Sequence, residues 1–204
     1  MRKMLWAEWK KLRRSSIILI TIFATVLIAF IVLVAGRETT VDGFYLSDAG
    51  WYMTIVQPWA TMFVLPAIIA MLGSYMICRE EQDDTLKSLL LIPVNETVLT
   101  AAKMIVTFIL SVLIYLLLFA ITLAIELILH GSELSIGMVL SFFKSYLLEG
   151  IGVFLAVSPI IALVSYTKKS YWLALLLAEI YSFAGLFMSM SSLTKTFYPI
   201  TALL

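Results

Sequence analysis

Residues 17–35 read Ile17-Ile18-Leu19-Ile20-Thr21-Ile22-Phe23-Ala24-Thr25-Val26-Leu27-Ile28-Ala29-Phe30-Ile31-Val32-Leu33-Val34-Ala35, with Thr21 and Thr25 the only polar side chains. An uninterrupted apolar run of this length matches the ~30 Å hydrocarbon core of a bilayer. It exceeds the roughly 7–15 residue core of a secretory leader and has no small-residue exit, so it reads as an uncleaved anchor. Four more runs follow: about Pro58 to Cys78, Met104 to about Leu129, Leu140 to Tyr166, and Tyr171 to Met190. The fourth carries Lys144, Glu149 and Pro159, and the fifth is broken only by Glu179. Solid apolar runs rather than alternation point to helices, because backbone polar groups in lipid must be bonded within their own segment.

Composition agrees. Of 204 residues, 62% are hydrophobic and 13% charged, with a mean hydropathy of +1.05; soluble domains carry ~45–50% and ~25%. A net charge of +1 leaves no electrostatic footprint for a polyanion, so no nucleic-acid partner is expected. The single cysteine, Cys78, excludes an internal disulfide and a cysteine metal cluster, and reads as packing. The expected fold is an all-α polytopic membrane protein forming one transmembrane domain over residues 1–204. An apolar run opens again at Tyr198–Leu204, so a sixth span is expected beyond the C-terminus.

Basic residues set the orientation. Arg2, Lys3, Lys10, Lys11, Arg13 and Arg14 precede the first span; Arg79, Lys87 and Lys103 lie between the second and third; Lys168 and Lys169 lie between the fourth and fifth. Only Arg37, Lys144 and Lys195 fall on the other side, so the N-terminus is expected in the cytoplasm. The outer face then carries Glu38, Asp42, Asp48, Glu126, Glu133 and Glu149, an acidity that positive-inside bias produces by subtraction. Residues 1–14 space Met1, Leu5, Trp9 and Leu12 helically against a basic face, which fits an interfacial helix.

The stretch 79–94, Arg79-Glu80-Glu81-Gln82-Asp83-Asp84-Thr85-Leu86-Lys87-Ser88-Leu89-Leu90-Leu91-Ile92-Pro93-Val94, packs four carboxylates into five residues ahead of Leu86, Leu89 and Leu90. Acids at the start, an apolar stripe and a terminating Pro93 describe a short amphipathic helix on the cytoplasmic side. Read from the residues alone, an acidic solvated loop is equally admissible. Here the chain resembles the permease subunits of type-2 ABC transporters. The features are the acids, Thr85, Lys87, Leu89-Leu90, Pro93-Val94 and Lys103 opening the next span, together with Trp6-Ala7-Glu8-Trp9-Lys10-Lys11. Within that family it is most similar to the small permeases of bacitracin- and lantibiotic-resistance exporters, although Asp83-Asp84 replaces the more usual Asn or Gly before the threonine.

The resemblance implies six spans and a bacterial plasma-membrane location. It makes residues 79–94 a coupling helix seated on a separate ABC ATPase. Glu80, Glu81, Thr85, Lys87 and Leu89 would touch the ATPase, and Pro93 would close the helix. Two ATPase chains and a second permease, identical or paralogous, would complete the assembly within membrane lipid. ATP and magnesium would belong to the ATPase; the chain itself has no Gly-Lys-Ser/Thr phosphate loop, and none of its nine glycines precedes a lysine. The implied cargo is a hydrophobic or peptide-like antimicrobial compound. A different class, a membrane sensor or scaffold whose cytoplasmic helix docks a partner, stays open; an intramembrane enzyme lacks a nucleophile–base pair.

Helical rise puts Glu179, eight residues past Tyr171, about 12 Å into the membrane, where a carboxylate is costly and is a candidate for the translocation path. The same arithmetic puts Glu126 and Glu149 at the outer boundary, in reach of water. Glu126, His130 and Glu133 have the spacing of a metal site, but their expected place is an interfacial loop. Gly152/Ala156 and Gly185/Ser189 are expected to permit close helix packing, and Pro66 and Pro159 to kink their helices.

Overall fold

The computed structural model describes residues 2–13, 15–38, 49–82, 96–166, 171–188 and 199–200. They form α1 (Arg2–Arg13), α2 (Ile17–Glu38), α3 (Trp51–Phe63), α4 (Leu65–Gln82), α5 (Glu96–His130), α6 (Ile136–Tyr166) and α7 (Trp172–Met188), with no strand among them. α2, α5 and α6 are each long and apolar enough to cross a bilayer, and α3 and α4, bent by 47° between them, are together long and apolar enough for either a broken span or a re-entrant loop. α7 has 17 residues, about 26 Å of helix, a little short of the hydrocarbon core. The chain is a multi-pass membrane protein.

Each helix sorts its residues between lipid and bundle. On α2, Leu19, Phe23, Phe30 and Ile31 face outward, while Thr21 and Thr25 are buried and fold their hydroxyls back onto Ile17 O and Thr21 O at 2.9 and 2.8 Å. A hydroxyl bonded to its own helix costs little in an apolar bundle. α4 is the central rod: every residue from Leu65 to Ser74 is buried. Against it α7 turns a stripe of small residues, Ala174, Ala178, Ser182 and Gly185, so the two helices approach closely. Gly185 belongs to this stripe; Ser189 lies outside the described residues. Gly73 supplies the matching close approach toward α5 and α6, because a Cβ there would lie 2.6 Å from Ile161 Cδ1 and 3.1 Å from Thr107 Cγ2. α5 and α6 form an antiparallel hairpin in which Ser111 Oγ donates to Gly150 O at 2.7 Å.

Two prolines behave differently. The bend between α3 and α4 falls at Val64, two residues before Pro66, whose missing N–H leaves the carbonyl of Met62 without its helical donor. α6 passes Pro159 as one continuous helix. Leu155 O, which Pro159 has no N–H to reach, accepts instead from Ser158 Oγ at 2.9 Å.

The bundle has two distinct ends. At one end α1 lies against the start of α2 and the end of α4. Ser15 Oγ and Tyr75 Oη are 2.9 Å apart, and the Tyr75 ring meets that of Tyr171, which precedes α7, at 5.3 Å. α1 buries Glu8 and Leu12 and turns Trp6, Trp9 and Lys10 outward. α4 closes and α7 begins at this end. The end opposite gathers the close of α2, the start of α3 and the α5–α6 turn.

Candidate functional site

α3 is short, and its inward face is polar at helical spacing: Gly50, the Met53 carbonyl, Gln57 and Thr61. In an apolar bundle such a face needs partners. The α5–α6 hairpin provides them along the whole length of α3.

At the beginning of α3, Gly50 adopts φ +89°, a left-handed conformation that a side chain would strain, and a Cβ there would press on Met138 Sδ at 3.0 Å and Phe142 Cε2 at 3.2 Å. Its N–H donates to Glu126 Oε1 at 2.7 Å. Glu126, wholly buried on α5, thus supplies from another helix an acceptor for an N–H that a helix N-terminus leaves without a partner. The same oxygen lies 3.0 Å from His130 Nδ1. One turn on, Tyr146 Oη donates to Met53 O at 2.8 Å, and Gln57 Nε2 donates to Ser145 Oγ at 2.9 Å.

At the end of α3, directly before the bend, four helices meet on Thr61. Its hydroxyl donates to Glu149 Oε1 of α6 at 2.8 Å. It is also 2.8 Å from Tyr115 Oη of α5. With the threonine proton on the carboxylate, the tyrosine is the donor of that second bond, giving a relay Tyr115 to Thr61 to Glu149. Ser182 Oγ of α7 donates to Thr61 O at 3.3 Å. Glu149 is 2% exposed, and its Oε2, like that of Glu126, has no hydrogen-bond partner among the described residues. Two acidic side chains therefore grip α3, one at each end, and the second sits at the hinge.

This arrangement corrects several expectations. Glu126 and Glu149 do not reach water; both are enclosed by protein, so they add nothing to an acidic outer surface. Glu126 and His130 do pair, but Glu133 is exposed, and no three potential metal ligands cluster among the described residues. Lys103 is not a loop cation: it stands in the second turn of α5, 3% exposed. The second span begins at Trp51, ahead of Pro58, as a separate helix. Glu179 is half-buried on α7 and is not joined to the Thr61 network. Glu80 and Glu81 stand in the last turn of α4, while Thr85, Lys87, Leu89 and Pro93 lie outside the described residues.

A signal for the missed network was present. Gln57/Thr61, Ser111/Tyr115 and Ser145/Glu149 are three polar pairs at i, i+4 on three apolar helices, each pair lying on one face. Helical rise gives depth but not facing, and facing decides whether a polar side chain meets water or a neighbour.

The family model described as ABC-2 family transporter protein matches residues 4–185. The chain belongs to the ABC-2 transporter family. The matched residues run from α1 into α7, so most of α1, the bend at Val64 and the α3 network all lie within the ABC-2 region. ABC-2 permeases are in general non-catalytic membrane subunits, in keeping with the absent phosphate loop. No curated protein and no solved structure matches the chain.

Proposed function

We propose that the chain is the permease subunit of an ATP-driven exporter in a bacterial plasma membrane, with its N-terminus in the cytoplasm. Two such permeases, identical or paralogous, work with two ATPase chains that hold the ATP and magnesium. The observation that carries this reading is the family match across residues 4–185. The clustering of α1, the end of α4 and the start of α7 at one end supports it. That clustering ends α4 beside the basic helix α1, and positive charge favours the cytoplasmic side.

In this reading residues 79–94 form the coupling helix, with Glu80, Glu81, Thr85, Lys87 and Leu89 against the ATPase and Pro93 closing the helix. α4 is the rod that carries the stroke. It is buried on all sides from Leu65 to Ser74, so a push at its far end is borne by the surrounding helices and by the bend at Val64. The Thr61–Glu149 grip holds the bend in one of its two arrangements. The cargo is a hydrophobic or peptide-like antimicrobial compound of the bacitracin or lantibiotic type, and Glu179 contacts it along the path.

The test is affinity purification of the chain from its native host, followed by assay of nucleotide hydrolysis. An ATPase chain that co-purifies and is lost with Glu81→Lys and Leu89→Asp supports the reading. An intact membrane protein with no hydrolytic partner, or with a kinase instead, overturns it in favour of a sensor or scaffold. For Glu179, the substitution Glu179→Gln in a folded protein is expected to lower resistance and transport; unchanged transport removes it from the path.

A further inference from the structure

Below the C-terminal end of α1 the bundle leaves a half-open groove of about 330 Å³. That is at the lower end of the ~300–1,000 Å³ range of ligand sites. Leu12, Ile18, Ile22, Leu110, Leu113 and Leu117 make its walls. It is thus a seam between α1, α2 and α5, reaching about 10 Å along α5 from Leu110 to Leu117. The wall is apolar throughout, since Thr21, which also borders it, spends its hydroxyl on Ile17 O.

The mouth is different. Trp9 and Arg13 stand there, both exposed. Of its near neighbours on α1, Lys11 pairs with Glu8 at 2.9 Å, and Lys10 lies over the Trp6 ring at 4.7 Å. Arg13 has no ion-pair partner among the described residues, so its five donors face the groove mouth and the solvent. Four residues later the apolar face of α2 begins at Ile17, which puts Arg13 at headgroup depth with the groove running into the acyl region.

We infer that this groove is a binding site for an anionic phospholipid of the leaflet that holds α1, with its phosphate on Arg13 and one acyl chain between α2 and α5. Three independent features select that ligand. The walls accept only an apolar chain. A guanidinium at the mouth with no ion-pair partner among the described residues selects a phosphate, for which its planar fork is suited. The tryptophan beside it sits at the depth where amphipathic rings gather. A zwitterionic lipid fits the walls equally but gains less at the mouth, so charge rather than chain decides selectivity. The site is separate from the α3 network and stands whether or not the chain exports a peptide. The lipid would brace α1 against α2 and α5 at the end of the bundle where α4 closes.

The test uses the full chain reconstituted into mixed phosphatidylcholine–phosphatidylglycerol vesicles, extracted into mild detergent and analysed for retained lipid by native mass spectrometry. The wild type is expected to retain phosphatidylglycerol over phosphatidylcholine. Arg13→Gln is expected to lower that preference roughly fivefold, the worth of one basic residue beside an anionic surface. Arg13→Lys is expected to keep most of it. Leu113→Trp, which fills the groove without touching charge, is expected to lower retention of both lipids. Because Arg13 is exposed and has no ion-pair partner among the described residues, its variants should elute and show helical content as the wild type does. The Gln/Lys comparison therefore decides the matter even if Leu113→Trp fails to fold. Equal retention of the two lipids by the wild type, or an Arg13→Gln protein with undiminished preference, overturns the assignment.

Discussion

Replacing Thr61 with valine keeps the side-chain shape and the β-branched rotamer preference but removes the hydroxyl that joins α3 to α5 and α6. Two bonds of 2.8 Å disappear: the donor to Glu149 Oε1 and the contact with Tyr115 Oη. In a soluble core, stranding buried groups costs about 1–3 kcal/mol each. In membrane bundles, measured interhelical hydrogen bonds average only about 0.6 kcal/mol, reaching about 1.7, because the unfolded chain in lipid also finds partners. Two bonds on one hydroxyl, one of them to a carboxylate, therefore correspond to about 1–2 kcal/mol. For a chain of this size that is a fall in melting temperature of roughly 2–8 °C. Tyr115→Phe should cost less, because Thr61 still donates to Glu149. Thermal unfolding of the purified protein in one detergent, with Phe30→Leu on the lipid face as control, gives the order directly. A double-mutant cycle of Thr61→Val with Glu149→Gln should show non-additive losses. A Thr61→Val protein that melts with the wild type, or one more stable than Tyr115→Phe, refutes the grip at the hinge.

Three other outcomes follow from the same geometry. Glu126→Ala removes the acceptor of the buried Gly50 N–H and the partner of His130, and should cost about 1–3 kcal/mol. Glu126→Gln keeps an acceptor oxygen and should cost clearly less; equal losses in unfolding assays would contradict the capping role. Gly73→Ala should destabilise by about 1–3 kcal/mol through overpacking on Ile161, and Ile161→Val, which deletes the clashing Cδ1, should recover part of that loss in the double variant. Ser158→Ala should cost about 0.5–1.5 kcal/mol, because Pro159 cannot replace the donor to Leu155 O; an unchanged melting temperature would show that this carbonyl needs no partner.

Much of the architecture was legible in the sequence because length and hydropathy act locally. The run from Ile17 begins α2 at the same residue, and Met104–Leu129 lies within α5. Lys144, Glu149 and Pro159 made the fourth span look interrupted, yet α6 is continuous for a separate reason in each case. Lys144 is exposed, Glu149 turns inward to Thr61, and Ser158 serves the carbonyl that Pro159 leaves. What was not legible is the pairing between distant segments. Gly50 and Glu126 are 76 residues apart, and Thr61 and Glu149 are 88 apart. No local period reports such a contact, so both acids looked like surface groups when judged by depth alone. Glu179 drew attention for the same reason: depth marked it, but the inward face of α7 belongs to its small residues, Ala178 and Ser182.

The central claim is that the segment after α4 receives force from a separate ATPase. A photoreactive residue at Leu89, introduced into the full chain in its native host, tests this most directly. The expected product is a covalent adduct with an ATP-binding chain, absent when the probe stands at Phe30 on the lipid face of α2. Labelling of position 89 by a membrane-impermeant reagent added outside intact cells, with no such adduct formed, would contradict the claim.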